Sequence, residues 1–390
     1  MSKLTTPFQS FMMAGFECTY AKAEKGRRFD LLAASKHDDY CQTDYQLIKE
    51  QGITTVREGL SWSQIDKGNG QYDFSRFLPM LQTAKEQGIE QLWDLNHFDF
   101  PEFLDPFTDD FAIAYAHYAK ECVRVLRNYS DRQLFVSPLN EPSFFSWMSD
   151  RGLWAPYGKN RGPEFKRQLV KAAIAAMNAC WEVDSTIAFL HPDPYMYRTP
   201  MHKKSLAEKE FCDDFNTNVR FESWDLLSGK RDPQYGGDPK YLQYIGMNYY
   251  FYNQQMVGID DQKRYAFRSL SLTHKRRLPL STIVTQLRER YDAQILITET
   301  GSYRKRRVTW WTYILSEVRA CLDAGIPILG VCSYPTLDII KGAGFIVPQS
   351  GLWDFDCNDK TCQRFPHEDA LQIIREFIDT QPVVANRAVV

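Results

Sequence analysis

The chain has 390 residues, 44% hydrophobic and 14% aromatic, enough to bury a large core in one big α/β domain or two smaller ones. Its 47 Lys and Arg against 49 Asp and Glu leave a formal charge of -2, so neither nucleic acid nor an anionic membrane is implied as a partner. No segment approaches the roughly 18 apolar residues of a membrane span, and the opening MSKLTTPFQS lacks the apolar stretch of a secretory signal, so a cytoplasmic protein is expected.

Short apolar and β-branched runs alternate with longer amphipathic stretches along the whole chain. Strands are predicted at FMMAGFE (11–17), TTVREGLSW (54–62), IEQLWDLNHF (89–98) and QLFVSPLN (133–140), then at TIAFLHPDP (186–194), YLQYIGMNYY (241–250), QILITET (294–300) and PILGVCSYP (327–335). A plausible helix follows each. Val170, Ile174, Met177 and Trp181 recur at helical spacing, as do Leu371, Ile374 and Ile378, and these stripes read as core. The joints EQGITTV, EQGIEQL and DAGIPIL each place a Gly where a helix stops before a strand begins. Eight βα units predict an α/β fold, a single (β/α)8 TIM barrel over residues 1–390, with its chemistry at the carboxyl ends of the strands. Nine cysteines scattered through these elements fit reduced thiols rather than a disulfide framework. Cys357 and Cys362, the nearest pairing, lack evident partner ligands and read as loop thiols.

Two glutamates fall at predicted strand ends, Glu141 in FVSPLNEPSFF and Glu299 in ILITETGS. Singly, each reads equally well as a solvated cap. As a pair facing each other across the barrel mouth they are what a retaining glycosidase requires, a protonated carboxyl and a carboxylate roughly 5 to 5.5 Å apart. Arg57 ends the second strand, His97 and Asp99 the third, Asn248 and Tyr250 the sixth, and Trp62 and Trp93 are expected to add aromatic surface at the same level. Sugar hydroxyls need such donors and acceptors, and sugar C–H faces pack on rings. A guanidinium beside one carboxylate keeps it charged, whereas a drier carboxyl holds its proton. His97 also reads as a satisfied core imidazole.

These residues resemble glycoside hydrolase family 1, within the clan of (β/α)8-barrel retaining glycosidases, over nearly the whole chain. The resemblance lies in Asn140-Glu141-Pro142 for N-E-P and Ile297-Thr298-Glu299-Thr300-Gly301 for I-T-E-[NT]-G, and in Gly246-Met247-Asn248-Tyr249-Tyr250 for G-x-N-Y-Y. Arg57 to Trp62 echoes R-x-S-x-S-W, and His97 to Pro101 echoes H-W-D-x-P. It implies Glu141 as general acid/base, Glu299 as nucleophile oriented by Arg57 and Tyr250, and Asn140 and His97 as ligands of glycone hydroxyls. No metal or organic cofactor is implied, and the partner is a small-molecule or oligosaccharide β-glycoside.

The match frays on two strands. The eighth reads Ser333-Tyr334-Pro335-Thr336-Leu337-Asp338-Ile339-Ile340, so Tyr334 is expected in place of the family's Trp platform, and the Glu that grips distal hydroxyls has no counterpart. On the first, Phe16-Glu17-Cys18-Thr19-Tyr20 replaces Q-x-E-G, with Glu17 expected to face the sugar. Trp147 and Trp154 either line the aglycone side or plug their loop onto the barrel. The basic runs His274 to Arg277 and Arg304 to Arg307 read as solvated loops, or the latter as a seat for an anionic substrate group. The leading expectation is a β-glycosidase working by double displacement; a transglycosidase with the same carboxylates and a carbohydrate-binding pseudoenzyme are the alternatives.

Overall fold

In the computed structural model, which describes residues 5–339, 349–356, 362–380 and 384–385, the eight predicted apolar runs form eight parallel strands. They are β1 (Met12–Gly15), β2 (Thr55–Gly59), β3 (Glu90–Asp94), β4 (Phe135–Ser137), β5 (Ala188–Pro194), β6 (Tyr244–Asn248), β7 (Gln294–Thr300) and β8 (Val331–Ser333). Each pairs with the next and β8 pairs with β1, closing the barrel. The main connecting helices are α1 (His37–Glu50), α2 (Leu78–Gln87), α3 (Asp109–Arg127), α4 (Gly162–Trp181), α5 (Glu222–Leu227), α6 (Leu280–Tyr291), α7 (Arg306–Asp323) and α8 (Glu368–Thr380). The joint glycines Gly52, Gly88 and Gly325 hold φ of +79°, +70° and +71°, the left-handed backbone that ends a helix most easily without a Cβ.

Strand alternation divides the core in two. Leu92, Phe135, Leu190 and Leu296 point inward and, with Met13 and Phe8, fill the barrel. Val56, Trp93, Val136 and Ile245 point outward under the helices, where Val170, Ile174, Met177, Leu371 and Ile374 meet them, with Trp181 and Ile378 only partly buried. This alternation corrects one expectation. Trp93 lies between inward Leu92 and Asp94, so its ring faces the helices and is 2% exposed. Trp62 is wholly buried among Phe111, Tyr115 and Tyr118, with its indole N–H on Asp66. Neither ring offers a surface to a sugar.

A three-stranded sheet (Tyr197–Pro200, Gln254–Ile259, Tyr265–Ser269) lies outside the barrel after β5 and β6 and was not expected from the sequence. The eight cysteines among the described residues are buried and unpaired; Cys357, like Ile340, lies outside the described residues. Among the described residues no helix is long and apolar enough to cross a membrane.

Behind β2, a buried polar knot braces the strand that carries Arg57. His37 lies between Asp44 (2.8 Å) and Glu58 (3.0 Å), stacks on Phe16 at 3.6 Å, and shares Asp44 with a two-pronged Arg364. Burial depresses the basicity of His37, but the Glu58 and Asp44 carboxylates outweigh it and raise its pKa to about 9. Because the raised value belongs to the folded state, this stabilisation is complete below about 6.5 and is lost as pH rises through about 9. Urea midpoints recorded from pH 6 to 10 are therefore expected to fall across that window, and to fall less in His37→Gln.

Candidate active site

The inward positions that fill the lower barrel with apolar side chains become polar at the carboxyl ends of the strands. Arg57 on β2 and Asp94 on β3 point into the mouth, Asn140 and Glu141 follow β4, and Asn248 closes β6. Glu299 reaches the same place through a bulge. Gly246 pairs with Leu296, but Asn248 pairs with Glu299, so β7 carries one extra residue between the two pairs. Strict alternation from inward Leu296 would turn Glu299 out; the bulge turns it in. Gly246 of the G-x-N-Y-Y run is needed beside it, since a Cβ there would stand 2.7 Å from the Thr298 side chain.

At the centre sits Arg57, 3% exposed. Its guanidinium grips Asp94 (2.7 and 3.2 Å), Glu299 Oε1 (2.6 Å), Asn140 Oδ1 (2.7 Å) and the Thr298 carbonyl (3.2 Å). Burial favours the neutral form of Asp94, but Arg57 and His97 more than offset it and hold Asp94 below the usual carboxylate range. The second oxygen of Glu299 accepts from the Tyr250 hydroxyl at 2.8 Å. Burial and the Glu299 charge push the Tyr250 phenol far up, so it remains a donor.

Glu141 meets a different environment. It is buried, its backbone is left-handed at φ +42°, and its Oε1 accepts from Asn248 Nδ2 at 2.8 Å. Burial first, then the Glu299 charge, push its carboxyl well above the usual range, and the Asn248 hydrogen bond opposes them only in part. Asn248 is fixed in turn by the Thr298 hydroxyl on its Oδ1 at 2.7 Å.

Arg57 can only donate, so Asn140 must turn its carbonyl oxygen to Arg57 and its amide nitrogen to His97 Nε2 at 3.0 Å. His97 then holds its proton on Nδ1, toward Asp94 at 3.0 Å. Tyr334 lies parallel to the His97 ring, and its hydroxyl reaches Glu17 at 3.2 Å and His97 at 3.4 Å. The structure thus brings Arg57, His97, Asn140, Glu141, Asn248, Tyr250, Glu299, Glu17 and Tyr334 to one rim. Trp154 is not among them: it is 6% exposed and packs against Phe29, Phe98 and Phe144, as a loop plug does, while Trp147 is 46% exposed on the helix Pro142–Asp150. Asp99, in the loop after β3, is buried and held by Ser61 and Ser63.

Cys18, Asp94 and His97 bring their ligand atoms within 4.8 Å of one another, a cluster the sequence did not suggest. Asp94 is already committed to the Arg57 cation, whose charge opposes a metal ion beside it. The basic runs are also resolved. Arg277 is buried on the Phe251 and Leu270 carbonyls, Arg307 pairs with Asp354 at 2.7 Å, and Arg306 lies over Phe251 and Tyr303. Arg304 and Lys305 of the second run are exposed.

A family model for Glycosyl hydrolase family 1 matches residues 16–215, just over half of the chain. The chain belongs to glycosyl hydrolase family 1. This family member is 28% identical over 146 residues to the chloroplastic 4-hydroxy-7-methoxy-3-oxo-3,4-dihydro-2H-1,4-benzoxazin-2-yl glucoside beta-D-glucosidase 2 of Zea mays, covering 34% of this chain and 25% of that one. To a beta-glucosidase of Agrobacterium it is 30% identical over 159 residues, 37% of this chain and 31% of the relative. The matched stretch thus spans about a quarter to a third of these relatives' length. A family 1 β-glucosidase of Thermotoga maritima in complex with isofagomine lactam superposes with a TM-score of 0.75 at 17% identity, covering 96% of this chain and 98% of that one. The AHE enzyme of Alicyclobacillus herbarius gives 0.78 at 18%, covering 98% and 100%. At those identities the likeness is one of fold.

Asp94, Thr298 and Asp193 (described below) were not singled out from the sequence. The two acids carried a signal that could have found them, a carboxylate inside an apolar strand run, in LWDL and FLHPDP. Arg57→Met, similar in volume, is expected to leave Asp94 and Glu299 buried without a counter-charge and to lower stability by about 3–5 kcal/mol in urea titrations. Arg57→Lys, which keeps charge but not the fork, should fall between.

Proposed function

We propose that this family 1 chain is a retaining β-glycosidase, an O-glycosyl hydrolase acting by double displacement on a small-molecule or oligosaccharide β-glycoside. What carries the reading is the opposite setting of two carboxyls at one rim. Glu299 accepts from the Arg57 guanidinium on one oxygen and the Tyr250 hydroxyl on the other, which aim it. Glu141 is dry, faces the Glu299 charge and keeps its proton. A hydrogen-bonded chain joins them, from Glu141 through Asn248, Asn140 and Arg57 to Glu299. Double displacement requires these carboxyls to stand roughly 5 to 5.5 Å apart, against the spacing of about 6.5 to 9.5 Å that admits a water between carboxyl and sugar.

In the first step Glu299 attacks the anomeric carbon while Glu141 gives its proton to the departing oxygen. The aglycone leaves as an alcohol and the sugar is held as an ester of Glu299. Loss of its proton leaves Glu141 as the base that removes one from water, and the water oxygen displaces Glu299 with the anomeric configuration restored. Asn140, locked by Arg57, presents its amide toward the 2-hydroxyl, and His97, Glu17 and Tyr334 line the rest of the glycone side. Glu17 replaces the family's Gln with an acceptor, and with Tyr334 in place of Trp this points to a glycone other than plain glucose. The unpaired cysteines support a cytoplasmic setting.

Aryl β-glycosides, phenyl as the unactivated and nitrophenyl as the activated leaving group, test the reading. Glu299→Ala and Glu141→Ala are each expected to lose about 10³-fold or more with an unactivated leaving group. Azide should restore turnover with the anomeric configuration inverted in Glu299→Ala and retained in Glu141→Ala. Product of inverted configuration from the unaltered enzyme would refute double displacement. Glycoside transfer to an added sugar acceptor in preference to water would make the chain a transglycosidase, and full binding without turnover would make it a lectin-like pseudoenzyme.

A further inference from the structure

Glu141 stands at the N-cap of the helix Pro142–Asp150. A short acidic residue there, Asp, ordinarily folds its carboxylate back onto the first free N–H groups of its helix. Glu141 does not, because its carboxyl is turned to Asn248, and the helix takes no cap from it. Pro142 has no N–H, so the first donor needing an acceptor is Ser143. Asp193, at the end of β5, supplies one: its Oδ1 accepts from the Ser143 N–H at 3.1 Å, and its Oδ2 takes the Ser223 hydroxyl. One residue earlier, the Pro192 carbonyl accepts the Glu141 N–H at 2.9 Å. The tip of β5 thus holds the backbone on both sides of Glu141.

We propose that Asp193 positions the acid/base by capping Glu141's helix in its place, which frees the Glu141 carboxyl for chemistry while its left-handed backbone is held fixed. This rests on Glu141 being the acid/base. Asp193 is 1% exposed and lies outside the barrel wall, under α4 and α5. Facing it are Ser223, Lys166 in its ion pair with Glu222 at 2.6 Å, His191 on its own strand and Glu141 across it. His191 is kept neutral by burial, its pKa lowered to about 4. Burial raises Asp193 to about 6 against the Ser143 and Ser223 hydrogen bonds and the more distant Lys166, so at neutral pH it is charged. That charge adds to burial and to Glu299 in keeping the proton on Glu141.

Two aryl glycosides separate this role from a merely structural one: a dinitrophenyl β-glycoside, which departs without protonation, and a phenyl β-glycoside, which needs it. Asp193→Ala removes the cap, and kcat/KM for the phenyl substrate is expected to fall about 10- to 100-fold, against less than about threefold for the dinitrophenyl one. Asp193→Asn keeps the acceptor for Ser143 and removes the charge, so the basic limb of the phenyl kcat/KM profile should move to lower pH by about one unit. Equal losses on both substrates, or an unmoved basic limb in Asp193→Asn, would overturn the proposal. If Asp193→Ala does not fold, the Asp193→Asn profile decides. Glu141→Ala with the same pair marks the difference from the underlying reading: no leaving-group dependence there removes Glu141 as the acid, whereas dependence there without any in Asp193→Ala removes Asp193 alone.

Discussion

The buried Arg57 guanidinium is the constraint on which the site is built. A donor-only cation deep in a barrel mouth needs acceptors on every side, and it collects them from the ends of three strands: Asp94 from β3, Asn140 from β4, and Glu299 with the Thr298 carbonyl from β7. Its demands propagate. Asn140 has one permitted orientation, which gives His97 one proton position, which Asp94 then holds. Few of these groups can be chosen independently, because each buried polar atom is the partner another requires.

The same cation separates the two glutamates chemically. It touches Glu299 and does not touch Glu141, so two like carboxyls at one rim face opposite electrostatics, one compensated and one dry. In the proposed mechanism acid and nucleophile differ through an uneven arrangement of donors, not through residue type. The outer buttress behind β2, in which His37 bridges Asp44 and Glu58, keeps the strand beneath Arg57 from shifting.

The barrel was legible because its signal repeats: eight apolar runs, helical stripes between them and glycine joints whose left-handed φ the structure reproduces. Glu141, Glu299, Arg57, Asn140, Asn248 and Tyr250 were legible as chemistry-bearing residues stranded at the ends of apolar runs. Side-chain direction was less so. Trp93 is near the mouth in sequence but turns outward because a strand alternates faces, while Trp62 opens a short helix after β2 and packs on Phe111, Tyr115 and Tyr118 of α3. The three-stranded rim sheet escaped because its outer strand, Tyr265–Ser269, is largely exposed and has no buried period to read. Asp94 and Asp193 were hidden by neighbours that looked like ordinary strand, with Arg57, Ser143 and Ser223 lying far away along the chain.

One extra residue in β7 decides which way Glu299 looks. Were the same residues from Leu296 to Glu299 to pleat evenly, without the bulge, the ladder would look better formed for it. Such a protein would still close its barrel and fill its core, yet the carboxyl would be swung behind the wall among apolar helices, out of reach of any sugar. A local irregularity in the sheet, not the residue itself, is what turns this carboxyl to the barrel mouth.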